Sequence, residues 1–132
     1  MIIPRKDTRI IVQGITGKQG TFWTERMQEY GAAIVGGVNP KKAGIIHCGV
    51  SVYASAKEAA GDGFDASVLF IPPLGVKAAA LDAIEAGAKM VLILTEHIPV
   101  QDVMYLMAAA REAGTRIIGP NTAGGVTVGE TF

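Results

Sequence analysis

Three glycines at three-residue spacing, Gly14, Gly17 and Gly20, follow the apolar run Ile10-Ile11-Val12 and lead into a segment that reads as a helix. Glycine lets a chain turn sharply and come close to a ligand with no Cβ in the way. The first amides of a helix have no partner within it and carry partial positive charge, so such a turn suits a phosphate. The pattern Gly-x-x-Gly-x-x-Gly is not the Gly-x-Gly-x-x-Gly of dinucleotide sites. Taken alone it also fits a tight strand-to-helix turn with no ligand. Lys18 and Gln19 at the helix start favour a ligand, because a cation there opposes the helix dipole unless an anion lies between.

Farther on stands Val38-Asn39-Pro40-Lys41-Lys42, with two cations and no carboxylate. Sites for NAD usually carry an acidic residue at this point to bond the ribose hydroxyls. A lysine pair suits a phosphorylated ribose instead, as in NADP or coenzyme A. The remaining chemistry is sparse. His47 and Cys48 are adjacent, but two ligands fall short of a zinc site, and we expect a local structural role. Glu96 is a lone carboxylate, better suited to positioning than to proton transfer. No residue is assigned a catalytic role, and no metal site is expected.

The elements that must hold these residues alternate along the chain. Arg9–Gln13 reads as a first strand, followed by a helix from Gly17 to about Tyr30 that ends at Gly31. Ala33–Val38 is a second strand, and residues 41–52 form an excursion with room for a hairpin. Ser55–Ala60 reads as a short helix with Ser55 and Glu58 as a capping box. Ala66–Ile71 is a strand stopped by Pro72-Pro73, and Val76–Ala86 a helix with Val76, Ala80, Ala83 and Ile84 on one side. Met90–Leu94 is a strand, a helix runs from Pro99 to Ala113, and Arg116–Ile118 is the last strand. Met104 and Met107, like Phe22 and Trp23, are expected to pack into the core.

Alternating strands and helices imply parallel pairing through right-handed crossovers. The fold class is α/β: a Rossmann-type doubly wound, mostly parallel sheet of about five strands with helices on both faces. In such a sheet ligands bind beyond the carboxyl ends of the strands. Residues 1–132 form one domain. Of the 132 residues, 49% are apolar and the mean hydropathy is +0.34, yet no run approaches the ~20 residues that span a bilayer. Twelve basic and twelve acidic residues cancel, so no global field draws nucleic acid or a membrane surface. A single cysteine and no long apolar leader point to the cytoplasm.

Four blocks carry a resemblance: residues 13–22, Val35-Gly36-Gly37-Val38-Asn39-Pro40-Lys41-Lys42, Thr95-Glu96-His97-Ile98-Pro99 and Ile118-Gly119-Pro120-Asn121. In order and spacing they resemble the N-terminal CoA-binding domain of the succinyl-CoA synthetase (succinate–CoA ligase) alpha subunit. The resemblance covers essentially the whole chain. It implies that Thr16, Gly17, Lys18 and Gln19 form the CoA-binding turn, with Lys18 where a serine often stands. Lys42 matches a lysine at the nucleotide phosphates, and Val38 and Pro40 match positions beside the adenosine. Ile71, Pro72 and Pro73 fall along the ligand, Leu94, Thr95 and Glu96 near the pantetheine arm, and Asn121 at a turn bordering the active site.

The chain departs from the family at His97, commonly glycine, and at Thr122-Ala123, commonly Cys-Pro. The family's phosphohistidine lies in a second domain that this chain lacks, and neither His47 nor His97 matches it. The resemblance therefore implies an acid–CoA ligase that makes acyl-CoA through an acyl phosphate and a phosphohistidine. An ATP-grasp beta subunit would be its partner, and this chain alone would bind CoA without turnover. The alternatives are a stand-alone CoA or acyl-CoA sensor and an NADP-binding module.

Overall fold

A computed structural model describes residues 6–61 and 63–120. Asn121, Thr122 and Ala123 lie outside the described residues. The elements run β1 (Arg9–Gln13), α1 (Lys18–Tyr30), β2 (Ala33–Val38), β3 (Ile46–His47), β4 (Val50–Tyr53) and α2 (Ala56–Ala59). They continue with β5 (Ala66–Leu69), a 3-10 turn (Pro73–Gly75), α3 (Val76–Glu85), β6 (Met90–Ile93), α4 (Val100–Ala113) and β7 (Arg116–Ile118).

The seven strands lie in the order β3-β4-β2-β1-β5-β6-β7. Every pairing is parallel except β3 with β4. Five strands were expected, and the excursion supplies the other two: its hairpin joins the sheet, β4 lying parallel beside β2. The chain first builds outward from β1 through β2 to β4, then returns to β5 on the other side of β1. Strand order thus reverses at β1, and the crevice favoured for ligands opens at its carboxyl end.

Alternation along the strands sends successive side chains to opposite faces. Ile11, Leu69, Val91 and Ile93 join the core beneath α2, α3 and α4, whereas Ile10, Val12, Val68 and Leu92 join the core that holds Met27 of α1. The inner surfaces of α3 and α4 are rich in alanine (Ala80, Ala83, Ala110), so these helices approach closely. Ser55 caps α2 by accepting from the Glu58 N–H at 3.2 Å. The Glu58 carboxylate reaches back to the Ala54 N–H, one residue before the cap.

The expected core role of four large side chains is overturned. Met104 is 66% exposed and Met107 37%, because Leu106 and Ala110 occupy the inner face of α4. Phe22 and Trp23 are half-exposed and pack on each other edge to face, with centroids 5.1 Å apart. Gly20, Thr24 and Met27 face inward in their place.

Candidate functional site

The glycines of the first turn serve different ends. Gly14 has φ +81, and a Cβ there would lie 2.3 Å from the Phe70 carbonyl oxygen. A Cβ on Gly20 would lie 2.1 Å from the Gly14 carbonyl oxygen. Both are demanded by the packing of strand, turn and helix. Gly17 is not: its φ is −71 and its ψ 168, and a Cβ there would meet only the Gly14 oxygen at 3.4 Å. Gly17 is also the N-cap of α1 and offers no side chain to the free amides. The first turn of α1 carries no acidic residue, and Lys18 stands at its start. The result is an exposed, uncapped helix terminus, positive in field and bare of side chains on one approach.

Beside this terminus a cleft of about 500 Å³ is lined by Gln19, Leu69, Phe70, Ile71, Pro72, Pro73, Leu94, Thr95 and Glu96. Seven expected site residues, from the start of α1 and two separate loops, therefore share one cavity. It lies beyond the carboxyl ends of β5 and β6, alongside the start of α1. Pro72 and Pro73 end the run of β5 and lead into the 3-10 turn, fixing that wall. The Thr95 hydroxyl donates to the Ile71 carbonyl at 2.7 Å, tying the loop after β6 to the loop after β5.

The opposite side is built around the loop after β2. Pro40 and Lys42 are exposed, and the Lys42 N–H donates to the Asn39 carbonyl at 3.1 Å. The Asn39 amide donates to the Thr16 hydroxyl, joining this loop to the glycine turn. Val38 is different. Its side chain is 5% exposed and belongs to the core, and its carbonyl accepts from the Gly14 N–H at 3.0 Å. Among the expected site residues it supports the turn from beneath, leaving contact to its neighbours.

Sequence reasoning passed over Phe70, which it read as strand although β5 ends at Leu69, and Asn39. The signal for Asn39 was present, since asparagine before proline favours a turn held by its own side chain. Gln13, at the end of β1, is 2% exposed, and its amide donates to the Ser67 hydroxyl and the Ala79 carbonyl, both at 3.0 Å. It locks β1, β5 and α3 under the crevice.

The remaining reactive side chains have structural surroundings. His47 Nε2 lies 2.8 Å from the Thr21 hydroxyl, which itself donates to the Ile15 carbonyl at 3.0 Å. The Gln28 amide donates to the Cys48 carbonyl at 2.9 Å, so the hairpin is fastened along α1. Burial, aided by Glu25, pushes the Cys48 thiol up, away from a reactive thiolate. His97 takes φ +60 at the rim of the cleft, and its Nε2 lies 3.6 Å from the Glu96 carboxylate. Among the described residues no group of three or more His, Cys, Asp or Glu side chains could hold a metal ion. Nor is any described helix long and apolar enough to cross a membrane.

Comparison with known proteins places this geometry. A family model described as CoA binding domain matches residues 5–97. The succinate–CoA ligase [ADP-forming] subunit alpha of Methanothermobacter thermautotrophicus is 48% identical over 130 residues, covering 98% of this chain and 44% of that protein. The malate–CoA ligase subunit alpha of Methylorubrum extorquens is 42% identical over 136 residues, covering 99% of this chain and 46% of that one. The ATP citrate lyase of Methanothrix soehngenii, solved with citrate and coenzyme A, superposes with a TM-score of 0.87 at 22% identity. It matches 100% of this chain with 23% of its own, a likeness of fold. The chain spans a little under half the length of the curated relatives it matches. With the model covering most of its length, and an uncapped helix terminus opening onto a ligand-sized cleft, the chain belongs to the CoA-binding domain family.

Proposed function

We propose that this chain grips coenzyme A on behalf of an acid–CoA ligase of the succinate–CoA ligase alpha type. The observation that carries the reading is Gly17. The fold has no need of a glycine there, so its missing side chain serves whatever approaches α1. In this reading Thr16, Gly17, Lys18 and Gln19 hold a phosphate group of CoA, and Pro40 and Lys42 flank its nucleotide end with Val38 behind them. Ile71, Pro72, Pro73, Leu94, Thr95 and Glu96 line the course of the pantetheine arm, and Asn121 borders its end. The cleft mixes apolar side chains (Ile71, Pro72, Pro73, Leu94) with polar ones (Gln19, Thr95, Glu96), which suits an arm that alternates methylene groups with amides.

The chain contributes binding and positioning. The thioester chemistry, the phosphohistidine and phosphoryl transfer from the nucleotide fall to parts beyond this domain, including an ATP-grasp beta subunit. The cytoplasm is the proposed compartment, in keeping with the free thiol of Cys48. Calorimetric titration of CoA, NADP and NAD tests the reading. CoA should bind most tightly, and incubation with CoA, succinate and ATP should yield no acyl-CoA. Tightest binding of NADP would overturn the ligand, and acyl-CoA formed by the chain alone would overturn the division of labour.

A further inference from the structure

We infer that Asn39 is the positioning residue of the phosphate grip, because it fixes which way the Thr16 hydroxyl directs its proton. The inference rests on the reading that the α1 terminus takes the phosphates of CoA. Asn39 follows the last residue of β2, and its backbone N–H, its carbonyl, Oδ1 and Nδ2 each make a hydrogen bond. Its backbone N–H donates to the Tyr53 carbonyl at 3.0 Å, at the end of β4. Its carbonyl accepts from the Lys42 N–H at 3.1 Å. In the side chain, Oδ1 accepts from the Lys41 N–H at 2.9 Å and Nδ2 donates to Thr16 Oγ1.

A backbone N–H can only donate, so the Lys41 bond determines which amide atom is oxygen. The amino group must then face Thr16, and the Thr16 oxygen is the acceptor in that bond. The proton of the Thr16 hydroxyl is therefore directed elsewhere, and among the described residues no acceptor meets it. Thr16 is half-buried and stands immediately before Gly17 at the uncapped start of α1. Its O–H and the first helix amides together make a terminus of donors alone, which selects an acceptor-rich oxyanion. The same amide joins the glycine turn to the loop of Lys41 and Lys42. One side chain thus sets both the polarity of the grip and the spacing of its two halves.

The test measures affinity for CoA and for pantetheine, which lacks the phosphates, by calorimetry on the 132-residue chain. Asn39→Ala should weaken CoA roughly tenfold, the effect of one charge-assisted hydrogen bond, and shift pantetheine by less than about twofold. Asn39→Asp should weaken CoA more than Asn39→Ala does. Its carboxylate would take the Thr16 proton for itself and place a negative charge beside the phosphates. A merely structural Asn39 gives the reverse order, because aspartate keeps the bond to the Lys41 N–H and can still bond Thr16.

Aspartate binding CoA as well as alanine, or better, would overturn the inference. So would equal losses for CoA and pantetheine. Should Asn39→Ala fail to fold, Thr16→Ser and Thr16→Val carry the comparison: serine should hold CoA near the wild-type affinity and valine should lose about tenfold. Equal binding by these two would also overturn it. If the unaltered chain binds no CoA, the ligand reading fails and takes the inference with it. If it binds CoA and only the order of the variants is wrong, the ligand reading stands.

Discussion

Gly17 and Gly20 are separated by one helical turn, yet substitution should affect opposite properties. At Gly20 a Cβ would sit 2.1 Å from the Gly14 carbonyl oxygen, 2.9 Å from its carbon and 3.0 Å from the Ile15 Cα. All three are backbone atoms, and the Gly14 oxygen is already held by the Gly17 N–H at 3.1 Å. No rotamer change relieves such a contact, and the turn must retreat by about 1 Å from a close-packed site. Overpacking of this kind costs about 1–3 kcal/mol. At Gly17 the nearest atom to a new Cβ is 3.4 Å away and the backbone is already extended. Stability there should change by less than about 1 kcal/mol, since a poorer N-cap is offset by a less mobile unfolded chain.

Gly20→Ala and Gly17→Val are to be compared by urea denaturation and by CoA titration. Gly20→Ala should lose about 1–3 kcal/mol of stability. Gly17→Val should unfold close to wild type while losing CoA binding, because its branched side chain fills the approach to the helix amides. Wild-type CoA affinity in Gly17→Val would refute the ligand assignment of that glycine. Wild-type stability in Gly20→Ala would refute the packing account of the turn.

Three further outcomes are expected. The Arg9 guanidinium, bonded to Asp65 through Nε at 3.3 Å and Nη2 at 3.2 Å, holds the Asp65 carboxyl below its usual range, with the Arg9 backbone N–H and Lys89 acting in the same sense. A depressed native pKa adds stability above the unfolded value of about 3.9 and loses it as pH falls through the native value; Asp65→Ala should cost about 1–3 kcal/mol at pH 7 and flatten the acid limb below about pH 4 in denaturation curves. Lys42→Ala should weaken CoA by about 1–3 kcal/mol, and more than it weakens dephospho-CoA, if the lysine meets the ribose phosphate; equal losses in calorimetry would move the contact to the pyrophosphate. His97→Gly should raise stability by up to about 1 kcal/mol, since glycine adopts the φ of +60 at this position without steric cost, and an unchanged or lower melting temperature would count against strain there.

The sheet and its order along the chain were legible because each strand is a short apolar run closed by glycine or proline. The glycine turn and the loop of Pro72 and Pro73 were legible for the same reason: backbone-special residues announce themselves. Side-chain polarity was harder. Asn39 reads as an ordinary turn residue, and only the positions of Thr16 and the Lys41 N–H make it a hub. Helix α4 offers two apolar stripes, one with Leu106 and Ala110 and one with Val100, Met104 and Met107, and the period cannot say which faces inward. In the structure the Leu106 and Ala110 stripe turns inward, into the core that α4 shares with α3. Phe70 and Ile71 read as strand, yet β5 closes at Leu69, because an apolar run does not mark where pairing stops and the cleft begins.

The reversed strand β3 is only two residues long, and β7, at the far margin, has three. A foreign chain needs a row of unpaired donors and acceptors to zip onto a sheet. Among the described residues, neither margin offers more than a few such groups. Ile46, exposed on β3, would otherwise invite self-association. The clasp of that hairpin to α1 through His47 and Cys48 thus carries a second benefit, since it keeps a hydrophobic selvedge too brief and too firmly held to template fibres.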